Sequence, residues 1–209
     1  MKVKPLLRGH FHQAMFFIAL GALIPLMFRC KTNQERTVIV VYAFCSLAMF
    51  GISSLYHRVT WDPLQRTNWK KLDHAGIYLM IAGTFTPIAY LALSSEVSKP
   101  LLISVWIFAF FGVLQSIFFV NLPKWVSAML YLIMGYLITP YLPDLSQSIG
   151  SLNSRLIISG GLTYSLGAVF YALKRPILYP SIFSYHEIFH ICVNLGAIQH
   201  FIVVNRLIG

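Results

Sequence analysis

The sequence predicts an all-α integral membrane protein, a bundle of seven transmembrane helices, and three observations carry that prediction. The 209 residues are 57% hydrophobic and only 11% charged, and the mean hydropathy is +0.71, so most of the surface must face lipid or other apolar helices. Seven apolar runs approach the length needed to cross a hydrocarbon core, and together they consume nearly the whole chain. The links between them are short, as in Asn121-Leu122-Pro123-Lys124, which makes consecutive helices antiparallel neighbours in one domain over residues 1–209.

The first span runs from Gln13 to Phe28 and is closed by Arg29 and Lys31. The basic start Met1-Lys2-Val3-Lys4 and the small residues Ala19-Leu20-Gly21 have the outline of a signal peptide, but the closing charges fit the end of a span better. The second span covers Val38 to Tyr56. The third covers Asp73 to Leu93, with Gly76 and Gly83 a heptad apart where a neighbouring backbone can approach. The fourth and fifth cover Leu101 to Val120 and Trp125 to Leu142. The sixth, Leu156 to Leu173, carries a packing stripe of small residues, Gly161, Ser165, Ala168 and Ala172. The last, Ser184 to Ile208, opens with Ser184-Tyr185-His186-Glu187, which fits a capping box. Asp62-Pro63, Lys99-Pro100, Leu142-Pro143 and Tyr179-Pro180 mark the loops, and Pro25, Pro87 and Pro140 fall inside or near the ends of spans.

Sixteen Lys and Arg stand against six Asp and Glu, but they are scattered through short loops and form no single basic face, which excludes a nucleic-acid partner. Their distribution reports topology instead. The side holding Met1 carries Lys2, Lys4, Arg8, Arg58, Arg66, Lys70, Lys71, Lys124, Lys174 and Arg175; the other carries Arg29, Lys31, Arg36, Lys99, Arg155 and Arg206. By the positive-inside tendency the amino terminus is cytoplasmic and, with seven spans, the carboxyl terminus is outside. Cys30, Cys45 and Cys192 have the spacing of neither a disulfide framework nor a thiolate metal site.

Alternating span direction brings four ionisable residues to one cytoplasmic depth: His57 at the end of span two, Asp73 at the start of span three, and His186 and His190 at the start of span seven. Ionisable groups at membrane depth are expensive and mark sites. His186 and His190 are i, i+4, about 6 Å apart on one helix face, and His57 supplies a third nitrogen. Three neutral imidazoles with an open position are the ligand set of a catalytic zinc. Asp73 is placed to accept a proton, and Ser53 lies one turn deeper than His57 on the same face. The competing structural roles are interfacial hydrogen bonding for the histidines and capping of span three for Asp73. His74 points away from Asp73 by about 100°, His200 lies about 15 Å past His190, and His10 or His12 is placed to line the mouth of the site.

Two families compete for His186-Glu187-Ile188-Phe189-His190. It satisfies H-E-x-x-H, in which the glutamate of a metalloprotease is general base. The other resemblance covers almost the entire chain. Ser53-Ser54-Leu55-Tyr56-His57, then Leu72-Asp73-His74-Ala75-Gly76 through Gly83-Thr84-Phe85-Thr86-Pro87, then Gly160-Gly161-Leu162-Thr163-Tyr164 through Ala172, and finally His186-x-x-x-His190 through His200-Phe201, resemble in order the motifs of the hemolysin III family. That family belongs with the progestin and adipoQ receptors. The resemblance implies seven spans and a zinc on His57, His186 and His190, with Asp73 and Ser53 beside it. A more distant similarity to alkaline ceramidases implies hydrolysis of a lipid amide; the expected function is a zinc-dependent hydrolase of a membrane lipid amide or ester, located in the plasma or inner membrane. Glu187 departs from the family pattern, where a small residue is common; it is either an extra acid at the site or a helix cap, the cap being the favoured reading. No long amino-terminal region like that of the adipoQ receptors is present, which favours the compact bacterial branch. The alternatives are a membrane-damaging cytolysin, a receptor with a structural zinc, and the intramembrane H-E-x-x-H protease.

Overall fold

The computed structural model describes residues 5–208 and is helical throughout, with no strand among the described residues. Lys2 and Lys4, counted above on the cytoplasmic side, lie outside them. The helices are α1 (His10–Arg29), α2 (Asn33–Arg58), α3 (Pro63–Ala92), α4 (Ser95–Phe118), α5 (Lys124–Gly135), α6 (Leu142–Leu173) and α7 (Tyr185–Leu207), with a 3-10 segment, Tyr136–Tyr141, between α5 and α6. Outward-facing Phe17, Phe28, Phe44, Phe110, Phe111 and Trp125 are exposed, as side chains solvated by acyl chains can be.

Capping sets several boundaries. Thr32 and Glu35 form a capping box on α2, the Glu35 amide donating to Thr32 Oγ1 at 3.1 Å. At α3, Asp62 Oδ1 accepts from the Gln65 amide at 2.9 Å, and Pro63 follows at a position where its missing N–H forfeits nothing. The helix therefore begins ten residues before the apolar run starting at Asp73, because its first turns are polar and hydropathy marks only the lipid-facing part. Asp73 consequently caps nothing and lies well inside the helix. Lys99-Pro100 is not a loop either. Pro100 sits in the second turn of α4, which begins at Ser95, and forfeits one backbone bond there.

Six stretches are long and apolar enough to cross a membrane, one of them being all 50 residues of Lys124–Leu173. That stretch is no single rod. A straight helix of its length would extend about 75 Å, yet Lys124 Nζ lies 4.2 Å from the Tyr171 ring centre and the Tyr136 and Ser165 hydroxyls are 2.9 Å apart. The chain doubles back through the 3-10 segment and a break at Gly150, whose φ of 81° and ψ of 158° suit glycine.

The glycine heptad of α3 packs on α2: a methyl group placed on Gly83 would lie 2.5 Å from Cys45 Cβ, so the two helices touch as closely as small residues permit. In α6 the expected stripe divides. Ser165 bonds Tyr136 and Ala168 packs with Ala128 of α5. Gly161 instead has open space above it and lines a cavity.

The two ends of α1 are fastened to α7 and the loop before it. At one end the Leu6 and Leu7 amides donate to the Ser181 and Ile182 carbonyls at 2.9 and 3.1 Å, and Asn194 donates to the Phe11 carbonyl at 2.9 Å. At the other, Arg29 donates to Asn205 Oδ1 at 2.7 Å and to the Ile208 carbonyl. The first and last helices thus close the bundle.

Candidate metal centre

The last turn of α2 and the first two turns of α7 bring three histidines together. His57, His186 and His190 are all buried, and each offers a nitrogen such that these atoms lie within 4.8 Å of one another. His57 Nε2 and His186 Nε2 are 3.1 Å apart. Ligand nitrogens on a tetrahedral zinc at 2.0–2.1 Å are separated by about 3.3 Å, so this spacing suits one shared ion. The cluster can hold a metal ion.

Asp73 of α3 faces the same point. Its Oδ2 is 3.6 Å from His57 Nε2, and Ser53, one turn above His57 on α2, adjoins the same carboxylate. The polar first turns of α3 are what allow this. With the cap at Asp62, a carboxylate eleven residues into the helix reaches the centre.

Glu187 does something else. Its Oε2 accepts from the Ser184 amide and hydroxyl, both at 2.8 Å, completing the capping box on α7. Its Oε1 pairs with Arg8, and the carboxylate is fully buried in doing so. Both oxygens are committed away from the histidines, so the residue that completes H-E-x-x-H is a cap and the anchor of the chain ahead of α1. Glu187→Ala is expected to leave Arg8 unpaired and to destabilise the protein by about 1.5–3 kcal/mol, with metal content unchanged. Thermal unfolding and metal analysis of the same sample check both halves.

The sequence underestimates His12. It lies in the first turn of α1, is 2% exposed, and stacks face to face on His190 with ring centres 3.7 Å apart and planes 8° from parallel; Phe50 meets its edge at 5.4 Å. The cue was available: α1 starts on the same side as α3 and α7, so His12 shares their depth. The metal cluster does not include it. His74 turns to the Lys70 carbonyl at 2.8 Å. His200 meets the Ile157 carbonyl at 3.2 Å and, as its sequence distance requires, is not part of the cluster.

The three histidines border one cavity of about 530 Å³ together with His12, Ser53, Asp73, His74 and His200, and it runs from the cluster among α2, α3, α5, α6 and α7 to Ile157. Apart from its polar end, its walls are mainly apolar side chains such as Ile77, Ile81, Phe85, Ile138 and Leu162. A volume of this order is that of a small-molecule site, and a long apolar chamber with one polar end is shaped for an amphiphile.

Comparison with known proteins finds relatives along most of the chain. A family described as haemolysin-III related matches residues 1–201. The chain is 30% identical to Hemolysin-3 of Bacillus cereus over 90% of its length and 84% of that protein. It is 32% identical to the Hemolysin-3 homolog of Bacillus subtilis (strain 168), over 76% of this chain and 75% of the relative. The Adiponectin receptor protein of Drosophila melanogaster is 27% identical over 81% of this chain and 42% of its own.

Proposed function

The chain belongs to the haemolysin III family, among the progestin and adipoQ receptor relatives, and from that premise we propose a multi-pass membrane hydrolase that uses zinc to cleave a lipid amide or ester. The observation that carries the reading is the buried triad His57, His186 and His190 at the polar end of an apolar cavity. Zinc is the metal favoured by an all-imidazole ligand set with room for one more ligand. Bound there, it supplies Lewis acidity toward a carbonyl and makes water a nucleophile near neutral pH.

The chain's own residues do the rest. The apolar walls hold the acyl chain, so that the carbonyl is presented at the histidine end and bulk water is kept from the chamber. Asp73 takes the proton of the attacking water and returns it to the leaving amine or alcohol. Ser53 donates its one hydroxyl proton to that carboxylate and, on release from it, to the oxygen on which charge develops. Asp73 Oδ2, 3.6 Å from His57 Nε2, stands at the edge of the ligand set, where a base must be.

The doubling back of α5 on α6 supports counting seven spans in one domain, with the amino terminus and the centre on the cytoplasmic side of the cell membrane, as the basic residues suggest. Purified protein should carry stoichiometric zinc and release fatty acid from a panel of lipid amides and esters, followed by mass spectrometry. Absence of stoichiometric zinc would refute the metal assignment. Zinc without turnover of any lipid would leave a structural metal in a receptor, and liposome leakage that survives loss of the histidines would point to membrane damage.

A further inference from the structure

The cavity face of α3 continues past the apolar chamber. Arg66, Lys70, Asp73, Ile77, Ile81 and Thr84 recur at intervals of three and four residues, share one helix face, and all border the cavity. Over the last two turns of that stripe, lysine and arginine replace the isoleucines. Lys124, at the start of α5, closes the mouth from the other side, its ammonium 4.2 and 4.9 Å from the ring centres of Tyr171 and Tyr185 and 3.3 Å from the Tyr185 hydroxyl.

These cations are not balanced. Arg8, which also borders the cavity, is neutralised by Glu187. Arg66 lies over the Tyr56 ring at 5.5 Å, and Lys70 donates to Asn121 Oδ1 at 2.9 Å. Among the described residues neither of them nor Lys124 has a carboxylate within ion-pair distance, and Asp73 is the one acid on the cavity wall. Lys124 is half buried, and its electrostatic neighbours are Arg8, Lys174 and Lys70 as like charges, with Asp73 the single opposite one. Gathering like charges at the rim of a low-dielectric chamber is unfavourable unless an anion joins them.

We propose that Arg66, Lys70 and Lys124 form an anion subsite at the cavity mouth, which selects amphiphiles whose head group carries a phosphate. Their acyl chain lies in the chamber and their phosphate lies among the three cations, about one to two helical turns from the histidines along α3. The substrate class of the hydrolase is thereby narrowed to acidic lipids, and to that extent the proposal rests on the hydrolase reading. The subsite itself is a matter of binding.

The test is binding of two probes to the zinc-loaded protein in neutral detergent micelles at about 0.15 M salt, where charges beyond about 8 Å are screened. One probe is a long-chain N-acyl amino alcohol; the other is the same lipid phosphorylated on its head-group hydroxyl. The phosphorylated lipid should bind about tenfold or more tightly, in line with charge-assisted contacts. The preference should vanish in Lys70→Gln/Lys124→Gln and fall in Arg66→Gln, which changes an exposed side chain and leaves the aromatic pocket of Lys124 intact. Lys71→Gln removes a cation of the same depth from another face of α3 and should leave the preference unchanged. Stabilisation by inorganic phosphate alone, lost in the same variants, would support the anion site while assigning it an occupant from solution. Equal binding of the two lipids, or an equal loss in Lys71→Gln, would overturn the proposal. Turnover of lipids without head-group preference refutes the subsite alone, whereas preferential binding without turnover refutes the hydrolase alone.

Discussion

His57→Ala protein is expected to purify without zinc. His186 and His190 share one helix and cannot complete a ligand set by themselves, and His57 is the nitrogen donor contributed by a different helix. Residues that merely orient metal ligands already change affinity by about 10–100-fold, so deletion of a ligand should exceed about 100-fold. The same loss appears as stability, since a ligand at about 100 times its dissociation constant contributes about 2.7 kcal/mol to the folded state. Unfolding of the wild type should therefore shift down on addition of a chelator, and unfolding of His57→Ala should ignore it. Zinc retained in a His57→Ala/His186→Ala/His190→Ala variant would exclude these residues as the ligands.

Asp73→Asn should remove turnover and keep the metal. The amide preserves the size of the carboxylate and its ability to meet Ser53, but it cannot accept the proton of the attacking water. Loss of a general base lowers a rate by about 10²–10⁴-fold. Fatty-acid release measured at saturating lipid, beside zinc analysis of the same preparation, separates the two effects. Wild-type rates in Asp73→Asn would leave no role for this carboxylate in catalysis. A structural metal predicts a different pattern, in which the substitution changes stability and nothing else.

The helix ends tell why some of the fold was legible and some was not. Hydropathy found the apolar stretches because transfer of apolar side chains to lipid dominates their placement, but it misplaced the start of α3 by ten residues. What begins that helix is a cap, Asp62, and a proline, Pro63, both in polar sequence. The misplacement had a consequence for the site, since an Asp73 at a helix start could have been a cap. In the α5 and α6 region Leu142-Pro143 separates the two apolar runs, but helix continues through it, and the reversal itself uses the 3-10 segment and the positive-φ Gly150.

At the centre, i, i+4 spacing and span parity were enough to gather His57, Asp73, His186 and His190, because direction along the membrane normal fixes depth. Depth does not fix azimuth. Whether a residue at the right height faces the site depends on helix rotation, and that is why His12 was assigned only to the rim although it stacks on His190. Glu187 was legible as a cap from Ser184, whereas its partner Arg8 is 179 residues away in sequence and no local pattern could announce it.

The fastening of α1 to α7 bears on how such a molecule is made. A membrane chain is inserted from its amino terminus, yet here the first helix finds its hydrogen-bonding partners on the last. Until α7 emerges, Arg29 has neither Asn205 nor Ile208, Arg8 lacks Glu187, and His57 stands apart from His186 and His190. A ribosome that stalls in the loop before α7 leaves α1 to α6 made and the histidine cluster incomplete. Assembly of the histidine cluster thus waits for the last helix and cannot take place on an unfinished chain.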